Sequence, residues 1–321
     1  MSFRQTAVSG FPAVALRTAE LEVVAVPSLG MKLTNLRRPN GREWLWRSDQ
    51  IPLSAPRPGA SYVETADSGG WDECFPTVGP CPIPGAPSLP WLPDHGELWS
   101  APWSSSVYDH AGGTTLAGRT EGTAFPYEFE REVTLDKDEP VARFRYRVRN
   151  LGDKPFPWIW SSHPLLNVQP GSTLTLDGVD QVRIDAMHGR ADLEVGAVVS
   201  WPSAIGGQGG HFTFPEMGAW AAKLFGDVGV QGRMWLTDPR KGERLEFVVP
   251  PEEVPQVGVW INCRGWAPPG RTPYYNLALE PCIGAPDRLD TAAEDWTTAQ
   301  TLGPGEERRW SLEVRLPDYG V

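Results

Sequence analysis

The chain has 321 residues and a formal net charge of −11; that length lets one large β-sandwich or barrel bury its own core without disulfides or metals. The charge sets nucleic acid and anionic membrane surfaces aside as partners and leaves neutral small molecules as the easiest ligand class. Cys74, Cys81, Cys263 and Cys282 are too few and too irregularly spaced for a disulfide framework or a zinc site, and with no apolar leader and no stretch of membrane-spanning length the expectation is a cytoplasmic protein with reduced thiols.

The 34 glycines and 33 prolines are spread among apolar segments, which means many turns rather than disorder. In chain order, strand candidates begin at 20–26, 31–36 and 43–47. Residues 50–93 then read as a long, Pro-rich, irregular loop. Its aromatics, Tyr62, Trp71, Phe75 and Trp91, predict that it packs over a sheet and walls a binding site. Strands resume at 98–108 and 114–120. Period-two alternation is plain in YEFEREVTL (127–135) and in VARFRYRVR (141–149). The second puts Ala142, Phe144, Tyr146 and Val148 inward and four arginines outward. Further strands are predicted at 156–161, 172–176, 181–185, 219–225, 231–237, 244–249, 256–261 and 274–280. Helical periodicity is confined to 289–299. RRWSLEVRL (308–316) closes the chain with Trp310, Leu312, Val314 and Leu316 inward. So many short strands between turn residues predict an all-β fold: one large antiparallel twisted β-sandwich spanning 1–321 as a single domain.

Five histidines narrow the search for chemistry: His95, His110, His163, His188 and His211. His110, His188 and His211 lie in turn-like sequence (DHAGG, MHGR, GGHF) and read as structural. His163 stands in WIWSSHPLLN (158–167), beyond a bend at Ser161–Ser162 that ends a strand. Pro164 fixes its own φ and biases His163 toward extended geometry, so the imidazole is aimed. An aimed imidazole suits acid–base work near neutral pH. In YYNLALEPC (274–282), Asn276, Ala278 and Glu280 share one face, and Tyr275, Leu277 and Leu279 the other. Glu280 is then either a rim residue or a pocket base. Trp158 and Trp160 share a face that serves as core or as a sugar platform.

Five segments, in order along most of the chain, carry a resemblance: GGWDECFPTVGP (69–80), DHGELW (94–99), SSHPLLNV (161–168), LALEPCIGAPDRL (277–289) and TLGPGEERRWSLEVRL (301–316). Together they resemble the Gly-rich FP, DHG, Ser-His-Pro, Glu-Pro and Leu-x-PGE segments of the galactose mutarotase (aldose 1-epimerase) superfamily. The resemblance implies a supersandwich with a sugar site on its concave face. It implies that Glu280 takes the proton of the anomeric hydroxyl while protonated His163 gives one to the ring oxygen. The ring opens, the C1–C2 bond rotates, and reclosure inverts the anomer. His95 would hydrogen-bond a sugar hydroxyl or the ring oxygen. No metal or organic cofactor is implied; the partner is a small sugar, and the oligomeric state, monomer or homodimer, is left open.

Some positions depart from the family pattern. Pro80 falls about where an arginine usually contacts sugar hydroxyls. Trp71, Asp72 and Glu73 in GGWDE are candidate sugar contacts, although the acidic pair would equally cap a loop. The family's substrate-binding aspartate has no clear match; Asp227 (FGDVG) and Asp238 are candidates, and Asp238 reads more simply as a hairpin turn. A phosphosugar or sulfosugar epimerase would need basic residues at the pocket, for which Arg131, Arg264 and Arg271 are available. A sugar-binding protein without turnover is the reading from another class. A glycoside hydrolase would need Asp72 or Glu73 apposed to Glu280.

Overall fold

The computed structural model describes residues 2–57 and 59–317, and within them the chain forms two large antiparallel sheets and one two-stranded ribbon. In spatial order the eleven-stranded sheet begins Ser2–Val8, Phe11–Arg17, Glu22–Val26, Lys32–Arg37 and Trp71–Cys74. It continues Trp160–Asn167, Tyr275–Ile283, Gln256–Cys263, Trp220–Asp227, Gln181–His188 and Val198–Ser200. The nine-stranded sheet runs Phe212–Thr213, Thr173–Leu176, Arg233–Asp238, Glu243–Val248 and Glu307–Arg315. Its other half is Val141–Asn150, Tyr127–Asp136, Gly113–Glu121 and Ser104–His110. The fold is the all-β antiparallel sandwich that the alternation predicts.

The core lies between the sheets. Side chains alternate across a strand, so the inward set of Val141–Asn150 (Ala142, Phe144, Tyr146, Val148) joins that of Glu307–Arg315 (Trp310, Leu312, Val314) in one cluster. The register sets Tyr146 opposite Trp310, and their rings stack at 5.4 Å. Outward, Arg143 pairs with Glu313, and Arg147 with Glu128 and Glu130. Trp158 and Trp160 belong to the same core, 5.8 and 5.1 Å from the Trp310 ring. They are core residues and form no sugar platform.

Several elements differ from expectation. Residues 43–47 make only isolated bridges, Leu45 to Leu166 and Arg47 to Gly69. The 98–108 segment opens with a 3₁₀ turn, Leu98–Ser100, before its strand. The helix expected over 289–299 is shorter, Leu289–Glu294, and a second short helix, Tyr62–Thr65, sits in the long loop. That loop also contributes Trp71–Cys74 to the middle of the larger sheet. Four residues, two of them charged, carry too little alternation to be read as a strand.

The most consequential difference is at His163, which lies inside a strand and not beyond a bend. Pro164 sits in that central strand, and prolines interrupt a ladder because they donate no hydrogen bond. Pairing with Tyr275–Ile283 holds at Ser161–Cys282 and resumes at Leu165–Ala278. Pro164 and Pro281 fall in the gap. The unchanged register across it sets His163 opposite Glu280.

Candidate active site

Residues of the larger sheet that point away from the core line a cavity of about 230 Å³. Its floor comes from five neighbouring strands, the last of them Gln181–His188 with Ala186 and His188. Trp160–Asn167 contributes His163 and Leu165, Tyr275–Ile283 contributes Asn276 and Glu280, Gln256–Cys263 contributes Trp260, and Trp220–Asp227 contributes Lys223. The long loop forms the opposite wall with Tyr62, Val63, Asp67 and Val78, and the DHG segment after it adds His95. His163, Glu280 and His95, three residues singled out in the sequence, therefore share one cavity.

Glu280 is fully buried. Its Oε2 accepts hydrogen bonds from Lys223 Nζ at 2.6 Å and Ser161 Oγ at 3.2 Å, while its Oε1 has no partner within the protein. Lys223 is also 3.2 Å from Asp287. Burial pushes the Glu280 carboxyl above its ordinary value, against the opposing pull of Lys223. Lys223 is itself raised, because Asp287 and Glu280 outweigh its desolvation. Gly258 stands directly across from Glu280, and a Cβ there would lie 2.9 Å from the Phe225 ring and 3.5 Å from Glu280 Oε2.

The two imidazoles meet edge to face, with ring centroids 4.9 Å apart, yet their charges differ. Burial drives His163 well below the ordinary histidine value, and His95, Lys223 and Lys32 push the same way. His163 is thus neutral near pH 7, and its Nδ1 has no protein partner. The protonated imidazole expected at His163 is favoured instead at His95. Burial opposes that charge too, but the 2.8 Å hydrogen bond between His95 Nδ1 and Asp94 Oδ1, together with the negative charges of Asp94, Asp287 and Asp67, outweighs it and raises His95. Asp94 is anchored in turn by Ser61 Oγ and the Tyr62 amide, which donate to its Oδ2.

Local backbone explains the DHG spelling. His95 has φ +60° and Gly96 φ +70°, both left-handed. A Cβ on Gly96 would lie 2.2 Å from the Phe75 carbonyl oxygen, so only glycine fits there. The His95 ring stacks on Tyr62 at 4.0 Å, and the Tyr62 hydroxyl donates to Asp72 Oδ2 at 2.7 Å.

The other sequence candidates lie elsewhere. Asp72 is fully buried and also bound by Lys32; it supports the Tyr62 wall without lining the cavity. Trp71 and Glu73 point the opposite way, into the core. Trp71 stacks on Phe144 at 4.6 Å, and Glu73 is held by Arg131, Tyr146 and Trp160. Strand alternation is the reason: Asp72 and its neighbours must face opposite sides. Asp227 ends its strand at an exposed position four residues from Lys223, outside the cavity lining. Asp238 is buried and pairs with Arg42 at 3.1 Å. His188 is not a turn residue; it ends the Gln181–His188 strand and lines the cavity. Lys223 and Asp287 have no local signal, because the charges they meet are remote in sequence, whereas Asp94 stands in the DHG segment beside its partner His95. The cysteines are free and buried, and no cluster of metal-ligating side chains occurs among the described residues.

A sequence profile described as Aldose 1-epimerase matches residues 12–198, more than half of the chain. The chain belongs to the aldose 1-epimerase family. Membership supports a sugar epimerase or mutarotase. The matched stretch contains His95 and His163, whereas Glu280 lies beyond it and joins them through the sheet register. No curated protein matches the chain. Solved structures agree in fold. A Synechocystis protein has TM-score 0.71 at 18% identity, with 99% of each chain covered. The galactose mutarotase related enzyme of Lactobacillus acidophilus has TM-score 0.67 at 15% identity, covering 96% of this chain and 98% of that one. A galactose mutarotase-like protein of Clostridium acetobutylicum has TM-score 0.69 at 12% identity, covering 99% and 98%. No helix among the described residues is long and apolar enough to cross a membrane.

Proposed function

We propose that the protein interconverts the α and β anomers of a monosaccharide by acid–base ring opening and reclosure. The observation that carries this reading is the convergence of Glu280, His163 and His95 on one cavity, with Glu280 Oε1 buried and unpartnered. Glu280, held by Lys223 and Ser161, is the base. It takes the proton of the anomeric hydroxyl, and a C1 carbonyl forms as the bond from C1 to the ring oxygen breaks. The ring oxygen takes a proton from the imidazole pair. His163 sits across from the base, and His95, charged through Asp94, is the source of that proton. Rotation about C1–C2 and reversal of both transfers close the ring on the other face. Each positioned acid or base contributes on the order of 10²–10⁴-fold.

The wall chemistry fits a sugar. Tyr62, Trp260, Trp266 and Tyr274 offer apolar faces, and Asn276 Oδ1 adds a further buried acceptor without a protein partner. Polarimetry of freshly dissolved α-D-glucose and α-D-galactose tests the reading. Wild-type protein should speed equilibration, and Glu280→Gln and His163→Asn should each remove most of that acceleration. No acceleration by wild type across aldoses, sugar phosphates and sulfonated sugars defeats it.

A further inference from the structure

We propose that Asp67 is a specificity-determining residue, whose unpartnered Oδ1 accepts a hydroxyl hydrogen of a neutral sugar and turns anionic sugars away from the cavity. The proposal rests on the reading of this cavity as a sugar site.

Asp67 follows the short Tyr62–Thr65 helix and lines the cavity beside Tyr62, His95 and Tyr274. It is only 6% exposed, and its Oδ1 has no hydrogen-bond partner in the protein. A dry, unpaired carboxylate oxygen is costly to fold around. A hydroxyl of a bound sugar is the donor that such an oxygen in a cavity wall is placed to receive.

The charges around the cavity point the same way. Among the described residues that line it there is no arginine. Its two cations are already committed, Lys223 to Glu280 and Asp287, and His95 to Asp94. His163 is held neutral, and His188 packs edge-on to Trp260 at 6.1 Å. The arginines available for anion binding lie elsewhere. Arg131 is buried in the core against Glu73, while Arg264 and Arg271 donate to the carbonyls of Glu216 and Gln50. A phosphate or sulfonate would meet Asp67, Glu280 and Asp287 without an uncommitted cation to receive it. Burial pushes the Asp67 carboxyl up to about 6, with Lys32 and His95 drawing it down and Asp72 pushing it up, so it is mostly an ionised acceptor at neutral pH.

The test compares wild type, Asp67→Asn and Asp67→Ala, using D-glucose, D-galactose and D-glucose 6-phosphate. Binding is read from tryptophan fluorescence or calorimetry, and turnover from polarimetric kcat and KM. In Asp67→Ala the lost hydrogen bond to a charged acceptor predicts Kd and KM for neutral sugars raised by roughly tenfold to a hundredfold, with the larger part of the effect in KM. Asp67→Asn, whose amide oxygen still accepts but carries no charge, should show a smaller rise. The preference for D-glucose over its 6-phosphate should narrow in both variants. Asp67→Asn keeps the side-chain shape, and its melting temperature controls for folding should the alanine variant fail. A folded Asp67→Asn with unchanged affinity and unchanged discrimination overturns the proposal and leaves the epimerase reading standing. Wild-type preference for the 6-phosphate overturns it as well. Sugar binding without accelerated anomer exchange defeats the epimerase reading instead, and Asp67 is then judged on Kd alone. Wild type that binds and turns over none of the three sugars, nor any of the wider panel of aldoses, sugar phosphates and sulfonated sugars, overturns both.

Discussion

Replacing Lys223 by methionine keeps most of the side-chain volume and removes one ammonium from the buried Glu280–Lys223–Asp287 cluster. Lys223 Nζ lies 2.6 Å from Glu280 Oε2 and 3.2 Å from Asp287, and the lysine side chain is 6% exposed. Breaking a buried pair from one side costs about 3–5 kcal/mol, because the remaining charge is left uncompensated. Glu280 escapes that cost by holding a proton. Its carboxyl already sits above the ordinary 4.5 because burial outweighs Lys223, and removing the lysine lifts it further. Expressed wholly as lost ionised base, the penalty is an activity loss of about 10²- to 10⁴-fold at neutral pH. The acid limb of the polarimetric pH–rate profile should move to higher pH, so that activity is partly recovered in alkaline buffer. Stability should follow the same sign. A folded value raised above the unfolded one means that stability is lost as pH rises from 4.5 through the folded value. The gap between variant and wild type, measured by urea denaturation, should therefore be widest at neutral pH and narrow toward pH 4.5. Should the acid limb of Lys223→Met coincide with that of wild type at undiminished kcat, Glu280 is not the titrating base, or Lys223 does not hold it.

Two further outcomes test other links. Asp94 is the largest of the groups that raise His95, ahead of Asp287 and Asp67, so Asp94→Asn should move the alkaline limb of the rate profile to lower pH; an unmoved limb removes His95 as the proton source. Arg131→Met strips the buried Glu73 of its cation and leaves Tyr146 and Trp160 as its donors. The variant should lose about 3–5 kcal/mol at pH 7. Burial raises the Glu73 carboxyl, so the loss should shrink toward acid pH as the group protonates. An unchanged denaturation midpoint at pH 7 would contradict the assigned pairing.

What the sequence alone determined is local. Alternation is a property of successive residues, so the inward faces of 141–149 and 308–316, and the Leu277/Leu279 and Asn276/Glu280 faces, were readable before any pairing was known. The sandwich follows from many such segments between turn residues. DHG, with its crowded Gly96 beside Phe75, and the His163 and Glu280 segments were likewise legible as short strings.

Which strands meet, and which charges face each other, only the tertiary structure decided. Trp71–Cys74 is a strand because partners on both sides accept it, and its alternation sends Asp72 to the cavity side and Glu73 into the core. Lys223 reaches Glu280 from 57 positions away, and nothing in WAAKLFGD marks it as a neighbour of the base. The same holds for the proton. An isolated histidine titrates near neutral pH, but burial and the nearby His95, Lys223 and Lys32 hold His163 neutral, while Asp94 helps to keep the charge on His95. Electrostatic fields and desolvation sum over everything close in space, whatever its distance in sequence. The strings therefore name the candidate acid–base residues, and their surroundings in the fold set which imidazole favours the charge.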